Sequence, residues 1–223
     1  MDARGDLNGW WRFGLVVVGV VATVLFRIRV TGAERVPARG SAIIAANHVS
    51  MLDGVALALV TSQRSRRMTR FLVAAEFFAK PTVAWALRLY RQIPLRRGRT
   101  DSGALDEAVA TVRAGALAGI FPEGTVNPDP DSGPQRGRSG VGRITLATGA
   151  PVIPVGVWGT QDRWPKSGLR WRPLERTRIG IAYGEPLEGR GDAGSADDVQ
   201  VFTDLVMTGI AKQVTEAKLL AAR

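Results

Sequence analysis

The chain has no cysteine and a single histidine, His48. Without thiols there is no disulfide, no thiolate metal site and no cysteine nucleophile, although this leaves the compartment open. One imidazole and no thiolate also exclude the usual zinc sites, so no metal is expected. The sequence lacks a Gly-rich dinucleotide fingerprint and a P-loop. It shows no internal repeat and no long low-complexity tract. Long hydrophobic runs are missing too. The uncharged apolar stretch from Phe13 to Phe26 would make a helix of about 21 Å, against a hydrocarbon core of about 30 Å. Acid is scarce relative to base: 20 Asp and Glu face 30 Lys and Arg, a net charge of +10. That imbalance points to an anionic partner, whether nucleic acid, membrane surface or phosphorylated small molecule.

What is present supports one good-sized core in 223 residues, with an appendage. Residues 1–30 are read as a membrane-associating segment and 31–223 as an α/β domain. The apolar stretch follows a Trp pair, Trp10 and Trp11, and is bracketed by Arg12, Arg27 and Arg29. Tryptophan at one end and arginine at both suits a helix lying in the interface. A secretory signal and a buried core element are the rivals. No small-x-small cleavage site follows, and Arg27 to Val30 runs straight into the fold.

Along the rest of the chain, short apolar strands alternate with helices. Strands are expected at Arg27–Thr31 (an edge), Ala42–Ala46, Phe71–Ala74, Gln92–Leu95, Gly115–Phe121, Pro151–Val157 and Arg178–Tyr183. Between them fall a helix from about Val55 to Thr61, a basic loop Gln63–Arg70, a helical Glu76–Tyr90 broken at Pro81, an amphipathic helix from Ser102 and a helix Val141–Thr148. A basic loop Gln161–Arg176 carries Trp164 and Trp171. With Trp158, these indoles suit an interface, an acyl chain or the core. Ser195-x-x-Asp198 resembles a capping box. Val201, Leu205, Ile210, Val214 and Ala217 are expected to form one face of a long C-terminal helix. This pattern predicts an α/β domain with a mainly parallel sheet flanked by helices.

The chemistry gathers around Asn47-His48-Val49-Ser50-Met51-Leu52-Asp53. His48 is the one side chain here that can take a proton near neutral pH without strong perturbation. On a continuous helix, residues five apart lie about 140° apart. A strand-to-helix turn instead brings Asp53, in the helix's first turn, back to the imidazole. Ser50 and Thr125 are possible nucleophiles but are read as turn residues. In parallel sheets ligands sit at the carboxyl ends of strands. His48, Arg97 and Glu123 each follow a predicted strand and are expected on one rim.

Four blocks in order resemble the glycerolipid acyltransferase family, the 1-acylglycerol-3-phosphate acyltransferases in particular. They are Asn47-His48-x4-Asp53; Gln92-Ile93-Pro94-Leu95-Arg96-Arg97; Phe121-Pro122-Glu123-Gly124-Thr125; and Val152-Ile153-Pro154-Val155. They span about Gly32 to Pro154. The second block departs from the family pattern at Arg91 and Arg96, where the family has Gly and an acidic residue.

The resemblance implies acyl transfer from a thioester, on coenzyme A or acyl carrier protein, to the free hydroxyl of lysophosphatidic acid. The product is phosphatidic acid, and no cofactor is needed. It implies His48 as general base and Asp53 as its partner. Asn47, Arg97, Phe121, Pro122, Glu123, Gly124, Thr125 and Pro154 are expected to shape the substrate site, with Arg97 on the acceptor phosphate. Glu123 keeps two readings, a contact to the acceptor hydroxyl and a structural brace. Glycerol-3-phosphate, a lysophospholipid or an amino lipid are the alternative acceptors. A non-enzymatic anionic-lipid module is a further reading. Nothing supports a nucleic-acid partner beyond charge. The expected location is the cytoplasmic face of the cell membrane, held from one side.

Overall fold

The central strand β2 (Ala42–Ala46) is buried at every position, as befits an apolar run covered on both faces. The computed structural model describes residues 9–95, 102–171 and 175–223. Among these, β2 is joined by β1 (Phe26–Thr31), β3 (Thr69–Ala74), β4 (Ile93–Leu95), β5 (Leu117–Ile120), β6 (Val152–Trp158) and β7 (Thr177–Tyr183). They form one seven-stranded sheet in the order β1-β7-β6-β2-β5-β3-β4. Five neighbours, β6-β2-β5-β3-β4, run parallel, and β7 with β1 runs the other way. The mainly parallel α/β class is as expected. The carboxyl ends of the five parallel strands therefore open on one rim.

Alternation along the strands splits the core in two. On one face, Ile44, Leu117, Ile153, Val155 and Ile181 pack against Leu57 and Val60 of α2 (Asp53–Ser65). On the other, Ile43, Ala118, Ile120 and Val152 meet α4 (Ser102–Arg113), α5 (Gly140–Thr148) and α6 (Ala196–Ala222). Helices α1 (Gly9–Leu25) and α3 (Pro81–Leu89) complete the α2 side. Pro81 opens α3 after a 3₁₀ turn, so it restarts the helix.

Three expectations need correction. The buried face of α6 is Val199, Phe202, Val206, Ile210, Val214 and Ala217, whereas Val201 and Leu205 are exposed. The helix lies backbone-close on β6 and β7: a Cβ at Gly156 would run into Gln213, and one at Gly180 into Ala217. That contact selects the face. Second, Gln63–Arg70 is not a basic loop. Helix α2 continues to Ser65, and Arg67 is buried, donating to the carbonyls of Pro37, Gly40 and Gly115. Third, only half of the capping box forms. Ser195 accepts from the Asp198 amide, but the Asp198 carboxylate accepts from the Asp192 amide.

Candidate active site

The turn after β2 is held by its own first residue. Asn47 donates through Nδ2 to the Val157 carbonyl at 2.9 Å and accepts at Oδ1 from the Val157 amide at 2.7 Å. The side chain is buried and both its polar ends are engaged with β6. It clips the end of β2 to the end of β6, and from there the chain turns.

His48 is braced through its backbone on both sides. Its N–H donates to Glu123 Oε1 at 2.8 Å, and its carbonyl accepts from the Asn127 amide at 2.6 Å. Its imidazole stacks on Phe121, with ring centroids 4.1 Å apart and planes 15° from parallel. Phe71 stacks behind Phe121 at 5.5 Å.

Asp53 opens α2 and is fully buried. Oδ2 accepts from the amides of Val49 at 2.7 Å and Ser50 at 2.8 Å, and lies 3.0 Å from His48 Nδ1. Oδ1 accepts from the Thr160 hydroxyl at 2.5 Å. A carboxylate accepts only, so His48 Nδ1 meets it as a fourth donor, an N–H. That tautomer leaves Nε2 with its lone pair, as the ring nitrogen able to take a proton. The Val49 and Ser50 amides are committed to Asp53. Ser50 Oγ donates to the Trp164 carbonyl and accepts from the Leu52 amide, as a turn residue does.

Glu123 sits in the turn that follows β5, only 3 % exposed. Besides the His48 amide it accepts from Gln135 N at 3.0 Å. Burial pushes its carboxyl above the ordinary range, while the amides of Gln135 and His48 pull it back. Gly124 follows with φ +69° beneath the Arg138 side chain, a conformation and a space that favour glycine.

A largely apolar cavity of about 630 Å³ opens beside His48. Its walls come from α1 (Trp11, Gly14, Leu15, Val18), from α2 (Val55, Ala58, Leu59) and from α3 (Val83, Ala86, Leu87). Phe121, Gly124 and Thr125 line it next to His48. Asn47, Pro122, Glu123 and Pro154 do not: each is buried. Pro154 lies in β6 against Gly209 of α6, on the opposite face of the sheet from α2. Arg97 lies outside the described residues.

Two residues near the site carry no signal in the sequence. Thr160 is fully buried and reaches Asp53 from the turn that follows β6. Lys166 lines the cavity, a cation brought there by a loop. Nothing in the spacing of either marks it. Among the described residues no group of His, Asp and Glu could hold a metal ion.

A family model described as Acyltransferase matches residues 27–158, from the edge strand through β6. The chain belongs to the acyltransferase family. An uncharacterized protein of Mycobacterium leprae is 32% identical over 89% of this chain and 61% of its own length. A 1-acyl-sn-glycerol-3-phosphate acyltransferase of Borreliella burgdorferi is 28% identical over 63% of this chain and 55% of that protein. In structure, the chain is similar to the 1-acyl-sn-glycerophosphate (LPA) acyltransferase PlsC of Thermotoga maritima. The TM-score is 0.67 and the identity 26%, covering 90% of this chain and 78% of that one. The chain spans about 61% of the length of its Mycobacterium leprae relative, and that relative carries no assigned activity. All four sequence blocks that resemble the family fall inside the matched region.

Proposed function

We propose that the protein transfers a fatty acyl group from a thioester, on coenzyme A or acyl carrier protein, to the free hydroxyl of 1-acylglycerol-3-phosphate at a membrane surface. The observation that carries this reading is the His48–Asp53 contact at 3.0 Å, with the imidazole on the wall of the apolar cavity. Family membership and the names of two relatives support it.

The acceptor hydroxyl gives its proton to His48 Nε2 as its oxygen attacks the thioester carbonyl. The tetrahedral intermediate collapses with breakage of the C–S bond, and the departing sulfur takes the proton from the imidazolium. The products are an ester and a free thiol. Asp53 holds the tautomer and stabilises the imidazolium between these steps. The acceptor is itself the nucleophile, so no acyl-enzyme is required. The cavity takes the acyl chain. Asn47 and Glu123 act by fixing the His48 turn, and Arg97 pairs with the acceptor phosphate.

One helix joins this chemistry to a bilayer. Trp11, Gly14, Leu15 and Val18 of α1 face the cavity. Trp10, Phe13, Val16, Val17, Val20, Val21 and Val24 of the same helix are exposed. An apolar face of that size marks an interaction surface, and a helix with no acidic residue in its apolar run fits lipid. Among the described residues no helix is long and apolar enough to cross a membrane. One face on the cavity and the other outward support the reading that α1 lies in a single leaflet.

The test is an acceptor panel with purified protein and radiolabelled acyl-CoA in mixed micelles. Lysophosphatidic acid is expected to be acylated far faster than glycerol-3-phosphate or neutral lysophospholipid. Within it, Arg97→Ala is expected to raise the KM for lysophosphatidic acid about ten- to a hundredfold, and Arg99→Ala to change it little. Equal rates for all acceptors, or no thioester consumption, overturn the reading.

A further inference from the structure

The loop that leaves β6 touches the His48 turn at three points. β6 ends at Trp158, and Gly159 turns with φ +95°, where a Cβ would collide with the Arg178 carbonyl. Thr160 follows, fully buried, with its hydroxyl on Asp53 Oδ1 at 2.5 Å. Four residues on, the Trp164 carbonyl accepts from Ser50 Oγ at 2.8 Å and from the Met51 amide at 3.2 Å. The hydroxyl sits opposite the Oδ2 oxygen that meets the imidazole. Removing it would leave Oδ1 buried without that partner.

We infer that Thr160 is a positioning residue for proton transfer: its hydroxyl fixes the Asp53 carboxylate and tempers the negative charge that His48 feels. This rests on the general-base reading above. A carboxylate that shares its charge with a hydroxyl binds a neighbouring imidazolium less tightly. His48 then returns its proton to the leaving sulfur more readily. Of the other ionisable groups near His48, Glu123 accepts from its backbone amide and Lys166 lines the same cavity.

The chain has one histidine, so the imidazole gives a single set of nitrogen resonances that can be titrated without any assay. Thr160→Val removes the hydroxyl and keeps the volume; Thr160→Ser keeps the hydroxyl. In Thr160→Val the His48 midpoint is expected to move to higher pH, its proton affinity rising about threefold to tenfold, and kcat to fall about tenfold with KM little changed. Thr160→Ser is expected to restore both. Should Thr160→Val fail to fold, Thr160→Ala is titrated instead.

An unmoved midpoint in a folded hydroxyl-less variant overturns the inference, as does a kcat loss that Thr160→Ser shares. A moved midpoint with unchanged kcat, together with full activity in His48→Ala, shows that the hydroxyl tunes the ring and that the general-base reading is what fails.

Discussion

The two faces of the sheet are built on opposite terms. On the α4–α5–α6 side, glycines let α6 press its backbone onto β6 and β7, and the buried row from Val199 to Ala217 fills the interface. On the α1–α2–α3 side, helices stand apart around a cavity of about 630 Å³, and α1 shows seven large apolar side chains to the outside. One face holds the fold together and the other is kept open. Such a division puts the cost of an unfilled cavity where a ligand can fill it, and leaves stability to the closed side.

The sharpest way to test that division is at the open side's chemistry. His48→Ala is expected to lower turnover by about 10²–10⁴ while the protein stays folded, because the general base is lost. Asp53→Asn should also lose activity, through a misoriented imidazole, and should lose stability as well, because four donors surround that carboxylate. Near-normal turnover in folded His48→Ala would end the general-base reading.

The closed side should give the reverse. Gly180→Val pushes a side chain into the backbone of α6 at Ala217 and Ala221. The expected cost is about 1–3 kcal/mol in denaturant unfolding, with kcat per folded molecule unchanged. A loss of kcat without a loss of stability would mean that the two faces are not independent.

Two smaller effects separate the two sides of α1. Glutamates in place of Val16 and Val20, both exposed, should weaken vesicle binding about ten- to a hundredfold and leave unfolding alone. Val18→Phe, on the cavity wall, should shift acyl preference toward shorter chains by about tenfold in kcat/KM, with vesicle binding kept. If both variants altered both properties, α1 would not have two distinct faces.

The smallest effect concerns Glu123. Its folded carboxyl titrates above the ordinary range because it is buried. Between the ordinary value and the raised one, the unfolded chain has already lost a proton that the folded chain retains. The unfolded state binds fewer protons there, so this group's contribution to stability falls as pH rises through that window. Glu123→Gln removes that slope. Urea unfolding of the two proteins at several pH values should show Glu123 gaining on the Gln variant as pH falls through the window. Parallel curves would mean that the carboxyl is not perturbed.

Much of the fold and of the turn at its centre is legible in the residues alone. Ala42–Ala46 and Pro151–Val157 read as strands because unbroken apolar runs of that length fit a sheet covered on both faces. The turn at His48 is forced by the five-residue gap to Asp53, which no continuous helix could close. What is not legible depends on partners remote in the chain. Helix α6 carries apolar residues on two sides, Val201 and Leu205 as well as Phe202 and Val206, and periodicity cannot choose between them. The choice is made by Gly156 and Gly180 in other elements. Arg67 resembles one more basic loop residue because its three carbonyl partners lie far off in sequence. Thr160 is 107 residues from Asp53, and a lone threonine after a strand says nothing of where its hydroxyl goes. The cavity leaves no trace for a related reason: it belongs to the spaces between helices.

The Asn47 clip has a mechanical consequence. Asn47 is pinned to Val157, and Asp53, at the other end of the same turn, is pinned to Thr160. The segment 47–53 and the segment 157–160 thus form a closed linkage, fastened at both ends, with the end of β6 as its fixed bar. A linkage of that kind transmits little strain from its surroundings. If the cavity takes an acyl chain as proposed, α1 and α3 can spread or settle around chains of different bulk while the imidazole keeps its aim, so tolerance toward the tail and accuracy toward the reacting carbonyl need not trade against each other.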